Sequence, residues 1–244
     1  MIIMTLNEKN PKIKKALEKF VNLKALKLQL DLNINCTSTF DCSDMSKFLG
    51  SMKKLVQLHL LFNSLVFSEY ANILKEVQKL KNLKQLSIIQ TCKGAVSTFS
   101  SFAFGLISKT IQTLKNLESI DINLGPFFQS AKEMPVLLQS LTNHPNLKRV
   151  LLTLVFCPDE IDSYQFDQDF YGDILSLLQS LDRFHLTLAN IRTDIQDETI
   201  KMFKDSQKNH TYLTINPIVR FENNFIHEHQ VLDLFTNTPS FTKL

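Results

Sequence analysis

Two short groups of residues have the types that bind metal ions in proteins. Asp167-x-Asp169-x-Tyr171-Gly172 has the first oxygens of a calcium loop, but its fifth position is Tyr171 and its twelfth is Leu178 rather than glutamate. Calcium requires oxygens at both positions. His227-Glu228-His229 places two imidazoles at i and i+2, which share a face only in an extended chain, and no further ligand is nearby. We therefore expect no metal site.

The residues that could act as nucleophiles also lack a catalytic context. The four cysteines form no CxxC pair and have no metal-ligand spacing, and a disulfide framework normally has denser, paired cysteines. They are Cys36, Cys42, Cys92 and Cys157. The signatures of serine hydrolases, zinc proteases and nucleotide-binding loops do not occur. We expect a protein that is not an enzyme and has no cofactor.

The composition indicates a globular protein that needs few glycine turns. Hydrophobic residues make up 44% and charged residues 21%, with 5 Gly, 19 Phe and 38 Leu among 244 residues. So few glycines are unfavourable for dinucleotide-binding folds. The net charge of +3 is too small to indicate nucleic-acid binding by itself, and four arginines are few for phosphate recognition.

The leucines occur in a repeated pattern of an apolar residue, two others, an apolar residue, one other and an apolar residue. Successive units begin 32, 28, 34, 30 and 34 residues apart. The six units start at Leu23, Leu55, Leu83, Leu117, Leu147 and Leu181, and a degenerate seventh covers residues 210–215. Asn precedes the first Leu in four of them, at Asn22, Asn82, Asn116 and Asn146. Such a period is typical of repeat architectures.

These units resemble leucine-rich repeats, and their length is similar to that of the irregular, ribonuclease-inhibitor-like kind. The second unit matches best, because Asn63 and Leu65 complete L-x-x-L-x-L-x-x-N-x-L. The other units hold different residues at the family's Asn position, namely Asp31, Thr91, Gly125, Val155 and Ala189. The resemblance covers roughly residues 20–244. It implies loosely laddered turns after the strands and an α/β leucine-rich repeat solenoid, with a curved parallel sheet on the concave side and helices on the convex side.

Hydrophobic periodicity supports the same architecture. Apolar residues alternate with period two in each predicted strand, and stripes with helical spacing lie between the strands. The predicted helices are 69–80, 101–114, 130–141, 169–181 and 196–207. A single strand and helix cannot bury their apolar faces alone, whereas stacked units can.

We expect one domain over residues 1–244. Residues 1–20 form an N-terminal cap with a helix over 11–20, and residues 21–244 form about seven repeats. Residues 228–235 are helix-like, and the last residues match the start of a further strand at Phe241 and Leu244. That strand is short, is completed by another protein, or continues beyond the sequence given.

The solvent-facing positions of the predicted strands form three rows across the sheet. The central row is Lys27, His59, Ser87, Asp121, Leu151 and His185. The row two residues later is Gln29, Leu61, Ile89, Asn123, Thr153 and Thr187. The row two residues earlier is Ala25, Gln57, Gln85, Ser119, Arg149 and Arg183.

Leu61, Ile89 and Leu151 are unusual in these rows, because solvent-facing strand residues are normally polar. Exposed apolar residues indicate a protein partner. The alternative is that these residues turn into the core or are covered by loops. The candidate binding residues are His59, Leu61, Gln85, Ser87, Ile89, Asp121, Asn123, Arg149, Leu151, Thr153, Arg183 and His185.

The sequence therefore predicts a non-catalytic protein-binding module, either an adaptor or a structural subunit of a larger assembly. The alternative function is a ribonucleoprotein subunit that contacts RNA through the basic N-terminal helix around Lys12, Lys14, Lys15 and Lys19. No signal peptide and no apolar run of about 18 residues is present. We therefore expect a cytoplasmic or other intracellular protein with no membrane contact.

Overall fold

The computed structural model describes much of the repeat region. The described residues are 2–6, 22–31, 43–63, 67–91, 102–128, 134–156, 168–191, 201, 211–217, 219–221 and 224–226.

Eight strands form one parallel sheet in which every strand pairs with its neighbours in the sequence. They are β1 (Ile2–Leu6), β2 (Ala25–Asp31), β3 (Gln57–Asn63), β4 (Gln85–Thr91), β5 (Ser119–Phe128), β6 (Arg149–Phe156), β7 (Arg183–Ile191) and β8 (Thr211–Pro217). A separate antiparallel pair consists of β9 (Val219–Phe221) and β10 (Asn224–Ile226). The sequential strand order is the topology expected of stacked repeats.

Helices alternate with the central strands. They are α1 (Ser43–Ser51), α2 (Phe67–Val77), α3 (Phe102–Thr113), α4 (Met134–Thr142) and α5 (Gln168–Ser180). Each helix contacts the next one along the chain, so the helices form a layer of their own. The protein is therefore an α/β protein with a solenoid-like arrangement of strand–helix units.

One continuous apolar core lies between the sheet and the helix layer. Leu26, Leu28 and Leu30 alternate along β2 and are each 1% exposed, and the residues equivalent to Leu26 and Leu28 in β3–β7 join the same core. Helix residues such as Ile73 belong to it as well. Because both sets of buried side chains share one core, the described helices cover one face of the sheet and leave the other uncovered.

A regular ladder of backbone hydrogen bonds connects the turns that lead into the strands. The carbonyl of Lys24 accepts hydrogen bonds from the amides of Val56 and Gln57, and the carbonyl of Val56 accepts from Lys84 and Gln85. The same pattern continues through Glu118 and Lys148 up to Arg183. These bonds fix the register of consecutive units at the point where each strand begins.

Asparagine side chains add a second ladder to the same turns. The Nδ2 of Asn82, Asn116 and Asn146 donates to the carbonyl of Lys53, Lys81 and Lys115, respectively, at 2.7–2.8 Å. In each case the acceptor belongs to the preceding unit. The recurrent asparagine before the first leucine therefore links neighbouring repeats, a role that its position in the sequence did not reveal.

His144 joins these ladders at a position that is apolar in the preceding units. Met52, Leu80 and Leu114 are fully buried in the equivalent turns, and His144 is 7% exposed. Its Nε2 lies 3.0 Å from the Leu114 carbonyl, and its Nδ1 accepts from the Asn146 amide at 3.3 Å. Because Nδ1 accepts, the neutral ring must donate from Nε2.

The described elements confirm most of the predicted ones. Strands β2–β7 match the six repeat units, β8 matches the degenerate seventh, and α2–α5 match four predicted helices with ends shifted by up to four residues. The structure adds β1 within the predicted N-terminal cap and α1 between the first two repeats.

Other predicted segments lie outside the described residues. These are the helices over 11–20 and 228–235, the helix over 196–207 apart from the helical Lys201, and the final strand at residues 241–244. Most of the turns after the strands, which were expected to be loosely laddered, also lie outside.

Candidate binding surface

The strand register aligns the three predicted rows across the face of the sheet that no described helix covers. In the central row, Lys27 pairs with His59, His59 with Ser87, Ser87 with Asp121, Asp121 with Leu151, and Leu151 with His185. The two flanking rows align through the same ladders. We call the residues of these three rows the open face. Neighbouring strands are about 4.8 Å apart, so residues of adjacent strands in one row are in contact range.

The three large aliphatic residues of the open face do not belong to the core. Leu151 is 36% exposed, and Leu61 and Ile89 are partly exposed. Leu61 pairs with Ile89 in adjacent strands, whereas Leu151 lies in the central row next to Asp121. All three alternate along their strands with core residues, so they lie on the side of the sheet away from the described helices. That they form a binding surface stays a prediction.

The centre of the open face is a hydrogen-bonded pair of polar side chains. The Ser87 hydroxyl donates to Asp121 Oδ2 at 3.0 Å, and Ser87 is 3% exposed. Burial raises the pKa of the Asp121 carboxyl, while the Ser87 hydrogen bond and the nearby His59 and His185 oppose that rise. Asp121 is consequently a half-buried carboxylate that favours a cationic neighbour.

His185 lies two strands away from Asp121 in the same row. Burial lowers the pKa of its imidazole, and the charge of Asp121 acts in the opposite direction. The ring Nε2 is 3.4 Å from the hydroxyl of Thr187. The charge of Asp121 therefore acts on the imidazole of His185, and the Ser87 hydroxyl is bonded to a carboxylate rather than to an imidazole base. This geometry differs from that of an activated serine.

The remaining candidates surround this centre. Arg149 and Arg183 are both exposed and pair in adjacent strands, so two basic side chains begin at neighbouring positions of β6 and β7. Gln85 is exposed, and Asn123 and Thr153 are partly exposed in adjacent strands. The twelve predicted residues therefore lie on one face of the sheet, where Ser87 is buried and the others are partly or fully exposed.

The residues considered for metal binding do not form a site in the part of the chain that the structure describes. There, no group of three or more His, Cys, Asp or Glu side chains could hold a metal ion. Asp169, Tyr171 and Gly172 lie within α5, which agrees with the predicted helix rather than with a calcium loop. His227, His229, the four cysteines and the four lysines of the predicted N-terminal helix lie outside the described residues.

No protein-family model matches the chain, and no curated protein matches it in sequence. Among the described helices, none has the length and apolar character required to cross a bilayer. The function must therefore be inferred from the geometry of the open face.

Proposed function

We propose that this protein is a leucine-rich repeat solenoid of the ribonuclease-inhibitor-like kind and acts as a non-catalytic protein-binding module. In this proposal the sheet is the concave side, and the open face binds the partner. The protein would serve as an adaptor or as a structural subunit of a larger assembly. The periodic strand–helix units and the continuous core support the repeat assignment.

The observation that carries the binding proposal is the exposure of aliphatic residues on the side of the sheet that no described helix covers. Leu61, Ile89 and Leu151 occupy positions where a solvated strand would carry polar residues. Protein interfaces typically combine an apolar centre with a polar rim. The arginines, glutamines and threonines of the flanking rows provide such a rim.

The charged residues of the open face indicate which charged groups the partner should carry. Asp121 is the carboxylate of the three rows and lies beside Leu151, so it suits a lysine or arginine whose stem packs on the leucine. Arg149 and Arg183 suit a carboxylate at one end of the same surface. From β3 towards β7, the expected partner therefore presents apolar groups first, then a basic group and then an acidic group.

A matched pair of variants tests the site. The first changes Leu61, Ile89 and Leu151 to Asp, and the control changes Val136 and Leu175 to Asp. The control residues are 46% and 38% exposed but belong to α4 and α5 on the helix side. Affinity purification with mass spectrometry then compares both variants with the unmodified protein.

We expect the open-face variant to lose a partner that the control retains, while circular dichroism shows that both are folded. If both variants retain the same partners, or if both lose them, the open face is not the binding site. For a partner so found, Asp121→Asn should weaken binding by about tenfold, the equivalent of roughly 1.4 kcal/mol. Asp182→Asn is the control, because Asp182 is an exposed carboxylate in a turn.

A further inference from the structure

A second surface lies at the end of the sheet where the strands begin, next to the first residues of β2–β7. The turns at 22–24, 52–56, 78–84, 114–118, 143–148 and 181–182 lead into β2–β7. They contain eight exposed lysines, which we call the lysine rim: Lys24, Lys53, Lys54, Lys79, Lys81, Lys84, Lys115 and Lys148.

The lysine rim is far more basic than the protein as a whole. The same turns contain two carboxylates, Glu118 and Asp182, so eight lysines leave a net charge of +6 there. The whole chain carries +3, and the rest of the chain must therefore carry a net charge of −3. Such separation of charge generates an attractive field for polyanions at one edge.

Two of the eight lysines form ion pairs with carboxylates among the described residues. Lys79 pairs with Glu76, and Lys84 pairs with Glu118 at 2.7 Å. Both lysine side chains are still about half exposed, at 54% and 52%. Exposed ion pairs of this kind are weak, so these lysines can exchange the carboxylate for another anion.

The ladders between turns align three other lysines. Lys53, Lys81 and Lys115 occupy equivalent positions in consecutive units, and each offers its carbonyl to an asparagine of the next unit. The Nζ of Lys53 and that of Lys81 also donate to the carbonyls of Lys79 and Thr113. These bonds hold the lysines in a row, at intervals of about one strand spacing near the sheet.

The chemistry of the lysine rim points to a phosphate backbone. Apart from lysine, the exposed residues of these turns are Asn22, Asn82, Asn116, Asn143, Pro145, Asn146 and Asp182. Among the described turn residues there is thus no exposed aromatic or aliphatic anchor of the kind that a protein partner or a lipid bilayer would engage. Lysine contacts phosphate oxygens as a compact point charge, and it lacks the planar fork of arginine, which recognises phosphate and base edges through paired hydrogen bonds.

We infer that the lysine rim binds the phosphodiester backbone of a nucleic acid without sequence preference. This site is distinct from the open face, and it does not include the lysines of the predicted N-terminal helix. It allows the protein to hold a nucleic acid along one edge while the open face remains free for a protein partner.

Two charge-matched variants test the inference. Lys53, Lys81 and Lys115 are changed to Gln in the first, and Lys47, Lys75 and Lys109 in the second. The control lysines are equally exposed but lie one each on α1, α2 and α3. Both variants lose three charges, so only the position of the charge differs.

Fluorescence anisotropy measures binding of a labelled oligouridine of about 20 nucleotides between roughly 50 and 200 mM salt, a range in which phosphate contacts weaken strongly. Each single-strand phosphate contact contributes about 0.7 to the slope of log K against log salt. At about 0.1 M salt the rim variant should therefore lose up to roughly 100-fold in affinity and about 2 in slope. The control should change by less than about threefold, because its lysines make no phosphate contact.

Three results would overturn the inference. The first is an affinity that does not fall with salt, or no binding at the lowest salt. The second is an equal loss in both variants, which would mean that binding follows net charge rather than the lysine rim. The third is equal or tighter binding of polyglutamate or of vesicles containing phosphatidylserine, which would assign the surface to another class of partner.

Discussion

The replacement of Gln90 by leucine should stabilise the protein. Gln90 is 1% exposed on the core side of β4, and neither atom of its side-chain amide has a hydrogen-bond partner within the described part of the chain. Its register partners are Phe62 on one side and Leu124 on the other. The repeat thus places an apolar residue at this position in the neighbouring strands.

The expected gain follows from the unsatisfied amide. A buried polar group without a partner costs about 1–3 kcal/mol, and leucine has a similar size, so the replacement creates no large cavity. Gln90→Leu should raise the free energy of unfolding by about that amount. Gln90→Met should give a similar gain, because it keeps the unbranched shape of glutamine.

Thermal and urea unfolding measure the effect. Each kcal/mol should raise the Tm by roughly 2–4 °C in a chain of this size. Gln85→Leu is the control, because Gln85 is exposed on the open face of the same strand. A lower Tm for both Gln90 variants, with an unchanged Tm for Gln85→Leu, would show that the Gln90 amide is hydrogen-bonded and would refute the reasoning.

Two further predictions concern the turn ladders. Burial lowers the pKa of His144 in the folded protein. As the pH falls, this imidazole is therefore protonated in the unfolded chain at a higher pH than in the folded protein. Stability should therefore be full above about pH 6.5 and decline below it. His144→Leu should reduce the fall in Tm between about pH 7 and 5. Part of the fall should remain, because burial also lowers the pKa of His185. A fall in Tm as large as that of the unmodified protein would contradict this prediction. Asn116→Ala should cost about 0.5–1.5 kcal/mol through loss of the Lys81 bond. Exposed Asn143→Ala is its control, and equal urea midpoints would show that the ladder contributes nothing.

The repeat arrangement was predictable because each strand repeats the same spacing of buried residues. Leu26 and Leu28 in β2 have counterparts in every later unit, and period two also identifies which residues face away from them. The register of the open face followed from the same alignment. The surface could thus be predicted residue by residue once the units were aligned.

Two elements escaped prediction because their local signals are weak. Helix α1 has apolar residues with helical spacing at Met45, Phe48 and Leu49, but it is nine residues long and contains Gly50, which lowers helix propensity. Strand β1 is a five-residue run, IIMTL, that lacks the leucine spacing of the repeat pattern. Only its pairing with β2 identifies it as part of the sheet.

The polar contacts were not predictable, because they depend on neighbouring units. His144 replaces an apolar residue and is accommodated by a carbonyl of the previous turn. The bond between Ser87 and Asp121 joins adjacent strands whose sequence positions differ by 34 residues. The lysine rim emerges only when the turns are stacked, since the lysines are scattered along the sequence.

The most direct test of the central proposal is side-chain footprinting of a complex with the partner. Carbene labelling of Leu61, Ile89 and Leu151 is compared with that of Val136 and Leu175, with and without the partner bound. If the open face is the binding site, labelling of the first three residues falls in the complex and labelling of the two helix residues stays constant. Unchanged labelling of the open face, with protection of the helix side, would contradict the account.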